Sequence, residues 1–306
     1  MSIRKLMAVW IAAGTLAGAM AFAESKAGQG TDVQMVLTVA DHMNHQPAFL
    51  KQDGLAIMDG TITDVIPLKG RDLELFILID DAANYDFSSK LQELRHFITE
   101  QPAPVSIGVA YIHEGTLQVV ENPTTDHRRV AAALRAPSGS KAANPYCAVS
   151  DLIQRWEKKS LSRAIVLVST GIDQSASEGV VCVNAETAIR DAERAGVIVY
   201  ALYNPVTTYL SEKWSKVDAG VVDLAHVAYE TGGEAYFIGH SPTETLEPFL
   251  SDIAEHLANQ YLVKFRVTAG TGGGLQMVHV TAGSSDQELM APDKVWVPTL
   301  TGLSGH

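Results

Sequence analysis

The chain of 306 residues is 46% hydrophobic and 19% charged, enough apolar material for one large domain or two unequal ones and too little charge for a disordered acidic chain. A net charge of -12, with no run of Lys and Arg, argues against non-specific binding to nucleic acid or to an anionic membrane surface. Two cysteines exclude a cysteine-rich scaffold and leave room for one disulfide.

The N-terminus reads MSIRKLMAVWIAAGTLAGAMAFAES: Arg4 and Lys5, an apolar tract from Leu6 to Ala21, then the small-residue site Ala21-Phe22-Ala23. This is the form of a secretory signal peptide over residues 1–23, short and Ala-rich for a membrane span, the alternative being a retained membrane anchor. Cleavage leaves 306 − 23 = 283 residues and, without Arg4 and Lys5, a net charge of -14. The expectation is an extracytoplasmic protein, periplasmic or secreted, with no stable membrane span. In an oxidising compartment Cys147 and Cys182 are expected to form a disulfide, the alternative being two buried thiols.

Short β elements are expected over 24–70: a strand from Val33 to Val39, then a hairpin of 55–58 and 61–67 around Asp59-Gly60. The pattern changes at Leu73, where LELFILI is continuously apolar, as a strand covered on both faces must be. A helix over 88–100 is expected next, then strands over 105–111 and 117–120. The Glu114-Gly115 turn between these strands is too short for a crossover and makes them antiparallel. Further helices are expected from Thr125 or Asp126, over 149–158, 184–195, 222–231 and 243–259, alternating with strands over 164–168, 197–203 and 234–238. This order predicts an α/β fold, a doubly wound, mostly parallel six-stranded sheet over 71–259. Strands return at 261–268, 276–282 and 294–298. The segments 24–70 and 260–306 are each too small to bury a face, so they are expected to pack together as a small all-β subdomain.

In such a sheet the active edge is the carboxyl end of the strands. It would gather Asp80, Asp81 and Asn84, the loop 137–148, and Ser169-Thr170-Gly171-Ile172-Asp173. The segments LELFILIDDAANYDFSSKLQELRHFI, TTDHRRVAAAL, PYCAVSDLIQRW, AIVLVSTGID, AERAGVIVYALYNP and LAHVAYETGGEAYFIG occur in the order and spacing of one family. The chain resembles the von Willebrand factor type A domain, most closely the VWFA-related proteins of the acidobacterial type, over roughly residues 33 to 298. The resemblance implies a Mg²⁺ site built on a D-x-S-x-S motif, with a Thr and an Asp from two other loops. Asp80 matches the first position, Ala82 replaces the first Ser, and Asn84 replaces the second. Ser150 is the nearest hydroxyl to the expected Thr, and Thr170 stands in place of the distal Asp. One ligand of five is kept, so the adhesion site is degenerate. No bound metal is expected, beyond a weak site for Mg²⁺ or Ca²⁺ at Asp80 with Asp81 and Asp173 nearby.

No nucleophile elbow, metalloprotease motif, phosphate loop or C-x-x-C occurs. His42 and His45, with Asp41, offer two flexible donors in a turn, which seldom suffice for a metal. Tyr85 is a candidate exposed contact for a partner, as are Tyr203, Tyr209 and Trp214, the alternative for these three being packing back onto the sheet edge. The expected function is a non-enzymatic binding or adhesion-type module that engages an unknown protein or envelope component. The alternatives are a structural envelope protein with no ligand at the sheet edge, and an uncharacterised hydrolase.

Overall fold

A computed structural model describes residues 30–40, 50–83, 87, 90–139, 142–173, 182–204, 214–238, 245–267, 273–283 and 288–299. The leader, His42, His45, Asn84, Tyr85 and Tyr209 lie outside these residues.

The central sheet has six strands: β4 (Leu73–Asp80), β5 (Ser106–His113), β6 (Thr116–Thr124), β7 (Ser162–Ser169), β8 (Val197–Tyr203) and β9 (Ala235–Phe237). Their spatial order is β6-β5-β4-β7-β8-β9. Every pairing is parallel except β5 with β6. That hairpin turns at Glu114 and Gly115, both left-handed at φ 47 and 74, the pair of conformations that matches the twist of antiparallel strands. Strands β4, β7 and β8 are buried at every residue, as continuous apolar runs between two helical layers should be.

The two layers divide the core by strand parity. On one face Leu75, Ile77 and Ile79 pack against α1 (Leu91–Glu100), α2 (His127–Ala133) and α6 (Glu247–Ala258). On the other, Phe76 and Leu78 pack with α3 (Pro145–Arg155), α4 (Ala185–Ala195) and α5 (Trp214–Glu230). Capping follows the side chains available. Asp126 accepts from Arg129 N at 3.1 Å at the start of α2, and Asn184 accepts from Thr187 N at 3.0 Å at the start of α4. The N-cap residue of helix α6, Leu246, has no capping side chain, although the neighbouring Thr245 hydroxyl accepts from Glu247 N at 3.1 Å. Glu93 of α1 serves as well, accepting from Leu246 N at 2.5 Å and Glu247 N at 3.0 Å, a carboxylate at the positive helix end.

Both chain ends contribute to a second, antiparallel sheet of β1 (Thr31–Ala40), β3 (Gly60–Pro67), β10 (Gln260–Val267) and β13 (Glu288–Met290), in the order β13-β1-β10-β3. The expected meeting of the termini is explicit in the register, from Thr31 opposite Val267 to Thr38 opposite Gln260. Two short ladders complete it: β2 (Leu55–Ile57) with β12 (Val280–Ala282), and β11 (Gly274–Met277) with β14 (Lys294–Val297).

Several expectations need correction. The hairpin at Asp59-Gly60 does not form. Asp59 is left-handed, but Gly60 is not among the positive-φ residues, so the turn lacks the paired geometry that keeps strands together; β2 goes to β12 and β3 to β10. Helix α3 begins at Pro145, whose fixed φ and missing N–H suit a first helical turn, rather than at Val149. Helix α5 begins at Trp214 rather than at Val222, so part of the polar stretch YLSEKWSKVD is helical rather than an insertion. The single strand expected over 276–282 is two, β11 and β12.

Candidate functional site

Asp80 ends the central strand and Asp81 follows it, and alternation sends their side chains to opposite faces. Asp80 is fully buried. Its Oδ1 accepts from Ala82 N at 2.9 Å and its Oδ2 from the Ser169 hydroxyl at 2.9 Å. Ser169 in turn accepts from Gly171 N at 3.1 Å, and the Thr170 hydroxyl from Ile172 N at 3.2 Å. No cation approaches Asp80 among the described residues. Burial, reinforced by the neighbouring Asp81 charge, pushes its carboxyl up to about 7 against the pull of the two hydrogen bonds.

Asp81 is equally buried, yet its environment is the reverse. Arg135 donates to both oxygens, at 2.6 and 2.8 Å, His113 Nδ1 lies 2.8 Å from Oδ2, and Ser138 N donates to Oδ1 at 3.2 Å. Burial opposes ionisation here too, but these donors outweigh it and hold the carboxyl below its ordinary value. Arg135 also lies over the Tyr111 ring at 3.9 Å, and the Tyr111 hydroxyl bridges the Arg135 backbone, donating to its carbonyl at 2.8 Å and accepting from its N–H at 2.7 Å. The start of the loop after α2 is thereby fixed to the top of β4.

A third tie comes from Tyr146 of α3, whose hydroxyl donates to Gly171 O at 2.9 Å. The next residue, Cys147, forms the expected disulfide with Cys182, at a Cα separation of 5.7 Å. It closes the segment between β7 and α4 onto the start of α3, a link of the kind that contributes about 2–4 kcal/mol. Gly171, at φ +68, is pressed against α5: a Cβ there would lie 2.1 Å from Gly220 O.

The structure thus brings Asp80 together with the Ser169-Thr170-Gly171 loop and places Asp81 on the other face. Ser150 is buried on α3 with no hydrogen-bond partner for its hydroxyl among the described residues. Asp173, partly exposed, continues the loop after β7. Tyr203 is not an exposed contact. It is 4% exposed and stacked on Phe237 with ring centres 5.3 Å apart, because the residue closes a strand buried along its whole length. Trp214 is the first residue of α5.

The residues present do not fit the magnesium of a von Willebrand A-type site. Such an ion needs about six oxygens in near-octahedral array. Ala82 has no oxygen in its side chain, both oxygens of Asp80 are engaged by internal donors, and the Thr170 hydroxyl is 2% exposed and turned to its own loop.

Among the described residues, the group with metal-ligand geometry is elsewhere: Glu234, Asp252 and His256, with one ligand atom from each within 4.8 Å of the others. Sequence reasoning passed over it. The one local signal is the four-residue spacing of Asp252 and His256, which puts both on one face of a helix.

No family model matches the chain, and no curated protein matches it. Solved structures with a similar course include an aerotolerance-related membrane protein from Bacteroides fragilis with multiple mutations to serines, at 15% identity and a TM-score of 0.42, covering 60% of this chain and 98% of that one. Human COPII-coat protein Sec24c is similar over 84% of this chain and 48% of its own, at 11% identity and a TM-score of 0.45. Three N-terminal domains of the type V pili tip protein Mfa5 from Porphyromonas gingivalis align over 87% and 66%, at 8% identity and a TM-score of 0.44. Likeness at this level fixes neither family nor function. The class of protein shown is a doubly wound, mostly parallel six-stranded mixed sheet with smaller sheets drawn from both termini.

Proposed function

We propose that the chain is a non-enzymatic, extracytoplasmic binding module of the von Willebrand A-like class. It would hold a protein or envelope component at the carboxyl edge of the central sheet without a bridging cation. One observation carries this reading: Asp80, which ends β4, and Asp81, which follows it, are both consumed in fixing their own loops, Asp80 by Ala82 and Ser169, Asp81 by Arg135, His113 and Ser138. An edge so tied is a preorganised platform, and preorganisation lowers the ordering cost of association. The leader-like N-terminus and the disulfide suit an oxidising compartment.

The test is capture of a partner from the native envelope with the mature chain as bait, in the presence and absence of chelator. Capture should resist the chelator and should drop at least tenfold with Ser138→Trp, which adds bulk at an exposed edge position while leaving the backbone bond to Asp81 in place. Capture lost on chelation, or unchanged by Ser138→Trp, would refute the proposed mode.

A further inference from the structure

The amino edge of the same sheet carries a second set of chemistry-bearing groups. Glu234 immediately precedes β9, pinned there by Ala201 N donating to its carbonyl at 2.8 Å. Asp252 and His256 project from one face of α6, in its last two turns. The imidazole of His256, 5% exposed, is stacked on Tyr200 with ring centres 6.1 Å apart, so its orientation is set by packing.

The Tyr236 hydroxyl decides the proton inventory. It donates its one proton to Asp252 Oδ2 at 2.6 Å and lies 3.5 Å from His256 Nδ1, so toward the imidazole it can only accept. In the neutral ring Nδ1 then carries the proton and Nε2 a lone pair. That lone pair faces Asp252 Oδ1 across 3.8 Å, an acceptor opposite an acceptor. Two ligands on a tetrahedral ion with bonds of about 2.0–2.1 Å sit about 3.3 Å apart, so a small cation between them needs only a slight closing of the gap. The Glu234 carboxylate completes three donors within 4.8 Å. Tyr236 occupies the supporting position that orients metal ligands from behind, and the C-terminal turn of α6 places the negative helix pole beside the ion. An adjoining cavity of about 370 Å³, also lined by Tyr229 and Glu288, leaves space for a fourth ligand.

We propose that Glu234, Asp252 and His256 form a three-ligand site for a divalent transition-metal ion, with the fourth position open to water or to a small anionic group. One imidazole with two carboxylates suits zinc better than magnesium or calcium, which take oxygen donors throughout. The site is separate from the carboxyl edge and does not depend on the function proposed there.

The experiment is calorimetric titration of untagged, chelator-stripped mature chain with Zn²⁺, alongside thermal unfolding. One ion per chain and a saturable rise in Tm are expected. Mg²⁺ and Ca²⁺ at equal concentration should leave Tm unchanged. Glu234→Gln and Asp252→Asn, close in shape to the originals, should each weaken zinc binding at least tenfold while leaving the metal-free Tm unchanged or higher. His256 is kept in both variants because its ring is part of the packing. Absence of zinc binding, or affinity unaffected by both substitutions, would overturn the assignment and place any bound ion on other histidines.

Discussion

Two adjacent aspartates with opposite environments make the top of β4 sensitive to pH in opposite directions. Asp80, pushed up to about 7 by burial, binds a proton more readily folded than unfolded, so its contribution to stability falls as pH rises from about 4 to 7. Asp81 lies below its unfolded value, so what it contributes is present above about pH 4 and is lost as pH falls through its folded value. Asp80→Asn keeps the shape and an acceptor for Ala82 N and removes the buried charge. The variant should be more stable than the parent at pH 8 by up to a few kcal/mol, at ~1.4 kcal/mol for each pH unit between the folded and unfolded values, and equal to it near pH 4. Urea unfolding at the two pH values measures this; an unchanged difference between them would show that Asp80 is ionised at little cost, as a bound cation would make it.

At the scale of elements, the carboxyl edge is held by close backbone approach as much as by side chains. Gly171→Ala imposes a side chain at φ +68 and sets its Cβ 2.1 Å from Gly220 O, so the loop after β7 and helix α5 must part. Gly196→Ala imposes nearly the same backbone strain, φ +65, with open space around the new methyl. The control should cost about 1 kcal/mol, the usual penalty for a left-handed residue. Gly171→Ala should cost well beyond that, read as the larger drop in Tm; equal drops would mean the contact with α5 is soft. Such contacts explain what could be read from sequence and what could not. The uninterrupted apolarity of LELFILI marks β4 as central, and Glu114-Gly115 marks β6 as antiparallel, because both signals are local. Asp81 gave no sign of its partner Arg135, which arrives from 54 residues away, and Glu234 none of Asp252 and His256. The three-residue strand β13 has no periodicity to read at all.

For the whole molecule the question is whether the sheet made by the chain ends is an appendage. Its own core is formed by residues such as Met35, Leu37, Val263, Phe265 and Val297. Yet Val36 and Leu262, on the opposite face of β1 and β10, belong to the core of the α/β body. Polar links cross the same junction: Ser162 donates to Gln260 at 2.7 Å, and Lys294 reaches Glu193 at 3.4 Å and Glu230 at 3.5 Å. A sheet with one face in its own core and one in its neighbour's should not open alone, so the body and the terminal sheet should unfold as one cooperative unit. Phe265→Ala, in the terminal core at 1% exposure, removes about 3–5 kcal/mol of packing. Hydrogen exchange should then accelerate by a similar factor, roughly 10²–10³-fold or more at 1.4 kcal/mol per tenfold, in both 260–267 and 73–80. Acceleration confined to 260–267, with 73–80 still protected as in the parent, would show that the body stands without the sheet its two ends build.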